Sequence, residues 1–274
     1  MRLPLLWLAL SLSIVAHADD VTWAGNNPLV GQWKDDLAKM RAARKPQPME
    51  GCLYSERVEW DRARDSGGVV LQDKRRLMLA ADEAQGAIID KWEKGKVLVL
   101  CYDDTRGTTL LEPESGLRVA VRHITDRHPI DDYVRSLNAQ TTVGMLAVGE
   151  EANRLWRVEI DRSVREVLAF KNLPKDVRAN FIKLSKSRLD YLEQQSTFAT
   201  ASVHSAYSPG TICGPLSTEE IVALYRAASF QLSGLFEYYQ TFAEKAERNV
   251  LIMRGRQCAG RDPQRSSHEL HLST

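Results

Sequence analysis

The sequence predicts an α+β protein: an antiparallel β-sheet region with one N-terminal helix before it and a C-terminal arm of two long amphipathic helices after it. Two observations carry that prediction. Between about residues 50 and 170 the chain is made of short, strand-like apolar runs joined by brief polar connections, the texture of an antiparallel meander. On either side of that region, apolar residues recur instead at helical spacing.

The first residues read as an export signal, 1–18. Arg2 supplies the positive start, Leu3–Val15 the apolar run, and Ala16-His17-Ala18 the small-x-small cleavage pattern, with Asp19 and Asp20 beyond it. The run is shorter than the roughly 20 residues needed to span a bilayer. No cysteine follows the cleavage point, so no lipid anchor is expected there. No later window is apolar enough to be a membrane span. The absence of any Asn-x-Ser/Thr sequon leans towards a bacterial periplasmic or secreted protein.

A first helix is expected from Pro28 to Arg44, with Leu29, Trp33, Leu37 and Met40 on one face and Pro46 and Pro48 closing it. Cys52, Tyr54, Val58 and Trp60 then alternate along a half-buried strand. Val97–Cys101 is a continuous apolar run that follows a turn at Lys94-Gly95 from the Ile88–Trp92 segment. Residues 117–124, 141–148, 155–160 and 164–170 read as further strands, with a short helix inserted at Asp131–Leu137. From Pro174 a helix is predicted whose broad face holds Val177, Phe181, Leu184, Tyr191 and Leu192. Arg188 falls within that face, either snorkelling over apolar surface or meeting a buried partner.

A polar stretch, Ser196–Pro215, reads as a linker. Ser217 to Glu220 then forms a capping box. Ile221, Leu224, Tyr225, Ala228, Leu232, Leu235, Phe236, Tyr239, Phe242, Ala243, Ala246, Val250 and Met253 follow in one angular register, with Gly234 opposite. The expected division is therefore 1–18 signal peptide, 19–172 helix plus sheet region, 173–255 helical region, and 256–274 a polar tail with the composition of a disordered end.

Cys52, Cys101, Cys213 and Cys258 are too widely spaced for a zinc knuckle or redox motif, and in an exported chain they imply disulfides. Their connectivity depends on the last helix. One unbroken rod would be about 57 Å long. It would forbid a Cys213–Cys258 bridge, which needs Cα atoms within about 7 Å, and the bridges would then clamp the helices to the sheet. A hairpin broken at Gly234 would instead permit Cys52–Cys101 and Cys213–Cys258. The shared register favours the rod; sequence proximity favours the hairpin.

Lys+Arg and Asp+Glu number 37 and 36, which argues against nucleic acid or anionic lipid as the main partner. Nucleophile elbows, HExxH zinc motifs, calcium loops and phosphate cradles are absent. The cluster that could carry chemistry runs from His123 to Asp132. His123, Asp126, His128 and Asp131 are candidate ligands for a divalent metal or an acid–base pair. Asp131 and Asp132 equally suit the first turn of a helix, with Pro129 as its starter. Cys101 to Gly107 reads as a strand end and tight turn.

No cofactor is implied, and catalysis is not expected to be the chain's work. The expectation is a periplasmic or secreted protein that binds another protein or itself through the C-terminal helices. The candidate contact residues are Phe230, Tyr238, Tyr239, Phe242 and Ile252, of which Phe230, Tyr238 and Ile252 lie away from the apolar stripe. The other classes left open are a metal-assisted periplasmic hydrolase centred on His123 and His128, and a secreted effector.

Overall fold

A computed structural model of the chain describes residues 29–64, 68–79, 87–125, 127–170, 173–206, 215–216, 218–235 and 237–238. The expected signal peptide, the polar tail, Ser217 of the capping box, Cys213 and Cys258 lie outside them.

Helix α1 (Leu29–Ala43) is followed by strands β1 (Tyr54–Arg64), β2 (Gly68–Leu71), β3 (Arg76–Leu79), β4 (Val97–Asp103), β5 (Gly107–Leu111) and β6 (Arg118–His123). The strands form a closed antiparallel barrel in the order β1-β2-β3-β6-β5-β4. Two meanders, β1-β2-β3 and β4-β5-β6, are joined edge to edge by the β1–β4 and β3–β6 pairings. Closure gives every strand a hydrogen-bonded neighbour on each side of the order. β1 serves both halves. Its first part pairs with β4, its second with β2, and a register shift between Trp60 and Arg62 bends it from one partner to the other.

The barrel interior follows from the two-residue period of its strands. Val58 and Trp60, Leu77 and Leu79, Leu98 and Leu100, and Val119 and Val121 all point inward. Ile89 and Trp92, from the segment between β3 and β4, plug one end, with Trp92 edge-on to Trp60 at 5.2 Å. The expected turn is present at Gly95, whose φ of +86° suits a residue without Cβ. Cys52 bonds Cys101 with Cα atoms 5.6 Å apart. The Leu53 amide donates to the Tyr102 carbonyl, so the ladder itself brings the two cysteines side by side.

Helices α2 (Pro129–Ser136), α3 (Thr142–Ala169) and α4 (Lys175–Ala206) follow, and residues 218–235 form a further helix, α5. α3 corrects the strands expected at 141–148, 155–160 and 164–170, which are parts of one helix of 28 residues. Ala152, Leu155, Trp156, Glu159, Ile160, Ser163 and Val167 are buried at helical spacing. The Thr141 hydroxyl caps the helix by accepting from the Gly144 amide at 3.0 Å. The polar residues between the apolar runs, which resembled connections, continue the helix, and no Gly or Pro interrupts residues 150–173.

The linker expected at 196–215 is likewise corrected in its first part, because α4 runs on to Ala206. The hydroxyls of Ser196, Thr197 and Thr200 donate back to the carbonyls of Glu193, Glu193 and Ser196, so these polar residues are absorbed by the helix. The break considered at Gly234 does not occur, since residues 233 and 234 are helical. The bridge pattern paired with the rod, in which the cysteines clamp helices to sheet, is also corrected. Cys52 and Cys101 bond each other on the barrel.

The helices share a second core. Ile130, Tyr133 and Leu137 of α2 meet Leu155, Trp156, Ile160 and Val167 of α3, Phe181 and Leu192 of α4, and Tyr225, Ala228 and Leu232 of α5. α1 packs on α3, where Arg41 donates to the Tyr133 hydroxyl at 2.7 Å and pairs with buried Glu151 at 2.6 Å. At Gly149 a Cβ would collide with Thr218, so α3 and α5 approach more closely than a side chain allows. Tyr102, at the end of β4, belongs to this helical core although Leu98 and Leu100 on the same strand face fill the barrel.

Candidate functional site

The sequence singled out His123–Asp132, and the structure brings its two histidines together. His123 ends β6 and His128 caps α2, with ring centroids 4.9 Å apart. Pro129 at the first helical position has no N–H to offer. His128 Nδ1 therefore accepts from the next amide, Ile130, at 3.1 Å. In the neutral ring this leaves the proton on Nε2, which faces Glu159 at 4.0 Å. Trp156 and Tyr102 enclose the His128 ring at 4.8 and 5.7 Å.

Both histidines are buried, 2% and 3% exposed. Burial holds His123 well below the usual imidazole range, with His128 and Arg75 acting in the same direction. His128 is lowered in the same way, by burial first and then by Arg162, Arg122 and Arg226. Both rings are therefore neutral at pH 7. The ring nitrogens of His123 have no side-chain hydrogen-bond partner, and the Arg127 backbone acts against the lowering.

A belt of buried charge surrounds them. Glu159 pairs with Arg162, whose other terminal nitrogen donates to the Asp104 carbonyl at 3.0 Å. Arg122 reaches from β6 to Ser163 at 2.6 Å and to Glu166. The Arg162 guanidinium lies against Gly107, where an added Cβ would come within 2.6 Å of it. The tight turn that precedes Gly107 forms as the sequence suggested. Asp103 accepts from the amides of Thr105 and Arg106 at 2.9 and 2.7 Å. Burial, and next Glu159, push the Tyr102 phenol up.

Asp131 is drawn elsewhere. It accepts two bonds from Arg226 Nε, both at 3.0 Å, and one from Nη2 at 2.9 Å, which ties α2 to α5. Asp126 lies outside the described residues. Among the described residues, no group of three or more His, Cys, Asp or Glu side chains is arranged to hold a metal. Chemically, the arrangement is a buried joint between the barrel and α3, two neutral imidazoles held inside a ring of paired charges. Arg122, Glu159, Arg162 and Ser163 were missed in the sequence. The signal of Glu159, Arg162 and Ser163, polar residues at helical spacing, becomes visible only once 142–169 is read as one helix, and Arg122 on β6 carries no such signal.

The expected contact residues divide. Tyr238 is 63% exposed, as anticipated. Phe230, expected on the surface, is half-buried against Trp156 at 5.8 Å and beneath the Arg226 guanidinium at 4.9 Å. α5 is covered on more than its apolar stripe, because α2 and α3 pack on a second side of it. Tyr239, Phe242 and Ile252 lie outside the described residues.

The broad face predicted for α4 also splits. Phe181 and Leu192 are buried, whereas Leu184 and Tyr191 are 56% and 55% exposed, and Phe198, which the predicted face did not include, is 74% exposed. These three stand at heptad spacing, and on a helix that places them in a nearly straight row about 21 Å long. Arg188, on the border of the row, donates to the Gln231 side chain of α5, so its partner is polar. Tyr225 interacts with Ser196. Residue 188 beside 231 and 196 beside 225 make α4 and α5 antiparallel.

Among known proteins, the chain matches no protein-family model, no curated protein and no solved structure.

Proposed function

We propose that this chain is an exported protein of the bacterial envelope that works by binding another protein, as an accessory or inhibitor-like factor does. The row Leu184, Tyr191 and Phe198 on α4 carries the reading. Large apolar side chains aligned along one helix resist hydration, and a partner helix laid on them removes that cost. Arg188 and Gln231 border the row with polar groups, the arrangement of an apolar centre with a polar rim. The leader-like first 18 residues and the Cys52–Cys101 bridge support an oxidising compartment outside the cytoplasm.

The test is photo-crosslinking in the cells that export the protein, with a benzophenone amino acid in place of Tyr191 or, as control, Lys183 on another side of the helix. A discrete adduct is expected from position 191 and not from 183. Equal background labelling from both positions would remove the proposal. In the same cells, the mature chain should begin at Asp19.

A further inference from the structure

We propose that the Cys52–Cys101 bridge is a thiol-exchange site, in which an incoming thiolate attacks Cys52 Sγ and Cys101 leaves as a thiolate received by Arg118, Thr109 and Ser55. The substrate class is a dithiol, and the site is independent of the row on α4.

The surroundings of Cys101 come first. It lies on β4 and is fully buried. Strand pairing sets Ser55 of β1 directly opposite it on one side and Thr109 of β5 on the other. Residues that face each other across strands share one side of the sheet, so both hydroxyls stand beside the sulfur. The Thr109 hydroxyl is buried and has no hydrogen-bond partner among the described residues. Ser55 Oγ accepts from the Met49 amide at 2.8 Å, which leaves its own proton to donate. From β6, Arg118 Nη1 comes within 3.8 Å of Cys101 Sγ. Among the described residues, no carboxylate pairs with that guanidinium. A bonded sulfur is a weak acceptor, whereas a thiolate carries a full charge, so these donors gain most when the bond opens.

Access decides which sulfur is attacked. Cys101 is closed to an outside thiol, while Cys52 is only half-buried at the foot of β1. Attack on Cys52 Sγ therefore expels Cys101. Burial alone disfavours a thiolate at that position, and the adjacent guanidinium opposes it. A more acidic leaving thiol departs faster. The first donor thiolate bonds to Cys52 Sγ as the sulfur–sulfur electron pair passes to Cys101. The second donor thiolate then attacks the first donor sulfur, which closes the donor's disulfide and frees Cys52. Two electrons reach the bridge. Of the two protons the donor loses, Cys52 takes one and water takes the other.

Exchange also needs a fold that outlasts the open bond. The chain around Cys52 is held by contacts that do not involve sulfur. The Leu53 amide donates to the Tyr102 carbonyl at 2.7 Å, and the Leu53 carbonyl accepts from Arg44 at 2.6 Å. The Gly51 carbonyl accepts from Arg106 at 3.2 Å. Beyond them β1 pairs with β4 from Tyr54 to Glu59. These bonds keep Cys52 beside Cys101 after reduction, so the bridge can open and close again on a standing barrel.

The test reduces the full mature chain with dithiothreitol, quenches with acid and reads Cys52 and Cys101 on their own peptides by mass. Arg118→Met should open the bridge about tenfold more slowly or worse, and should need about tenfold more dithiol for half-reduction. Arg118→Lys, which keeps the charge, should stay within about threefold of the wild-type chain. Thr109→Val should slow opening about threefold, and it decides the matter if Arg118→Met does not fold. An arginine that only packs is missed equally by the bonded and open forms, so its loss would leave the half-reduction point where it was. With glutathione as the attacking monothiol, the adduct should sit on Cys52 with Cys101 free. Far-ultraviolet circular dichroism of the reduced wild-type chain should match that of the oxidised one. The proposal is overturned by rates and half-reduction points that neither Arg118→Met nor Thr109→Val moves, by an adduct on Cys101, or by unfolding on reduction.

Discussion

Acid should loosen the joint between barrel and helices, and the size of the effect follows from the two buried histidines. His123 and His128 are held below the usual imidazole range, by burial first and then by neighbouring groups. The groups facing them are Arg122 on β6, Arg75 between β2 and β3, Tyr102 on β4, Glu159 and Arg162 on α3, and Arg226 on α5. On unfolding, both rings return to a value of about 6.5. Since the folded value is the depressed one, the unfolded chain takes up more protons as the pH falls. The stability of the neutral, buried pair is therefore complete above about pH 6.5 and is lost progressively below it. Each ring adds a slope of about 1.4 kcal/mol per pH unit, and the pair about 2.7. Carboxylates titrate mostly below about pH 5, but burial pushes Glu150 and Asp161 up, so the difference between the wild-type chain and His123→Gln is what isolates the histidine contribution. Urea unfolding followed by tryptophan fluorescence reads this directly, with Trp156 stacked 4.8 Å from the His128 ring. The wild-type chain should lose stability from about pH 6.5 downwards, at about half the limiting slope near pH 6.5 and approaching it towards about pH 5.5, and His123→Gln should lose it at about half the wild-type rate. Equal stability at pH 5.5 and pH 7, or a slope that His123→Gln leaves unchanged, would refute the reasoning.

Further outcomes test other parts of the structure. Replacing Cys52 and Cys101 together with Ser opens a loop with a sequence separation of 49 and should cost about 4 kcal/mol in urea unfolding. Trp156→Ala empties the centre of the helical core, where the side chain is 1% exposed, and should cost about 3–5 kcal/mol. Gly149→Val should cost about 1–3 kcal/mol through collision with Thr218, and adding Thr218→Ala should recover part of that loss.

What the sequence revealed was local. The face of α1, the alternation in β1, the turn at Gly95 and the start of α2 at Pro129 each depend on neighbours within a few residues. Barrel closure was not legible, because it depends on pairing β1 with β4 and β3 with β6, and no turn residue announces those contacts. α3 was misread because its short apolar runs fit strand and helix alike. The residues that would have linked them into one face include Glu151, Glu159 and Arg162, which are buried as paired charges and look like surface in a sequence. The site shows the same division. His123 and His128 were visible as a cluster because they lie close in the chain. The partner of Asp131 is Arg226, a separation of 95, and nothing in the spacing points to it. Phe230 lay off the apolar stripe and was expected at the surface, but the stripe cannot show that α5 is covered from a second side.

The account stands on Leu184, Tyr191 and Phe198 being covered when the protein is at work, whichever chain covers them. Hydroxyl-radical footprinting of the protein in native envelopes, set against the isolated Tyr191→Asp/Phe198→Asp monomer and read by peptide mass, measures this residue by residue. Leu184 should be modified at least several-fold less in the envelope than in the monomer, with exposed Met145 on α3 unchanged as an internal reference. Equal modification of Leu184 in both would mean that the row faces water throughout, and would contradict the account.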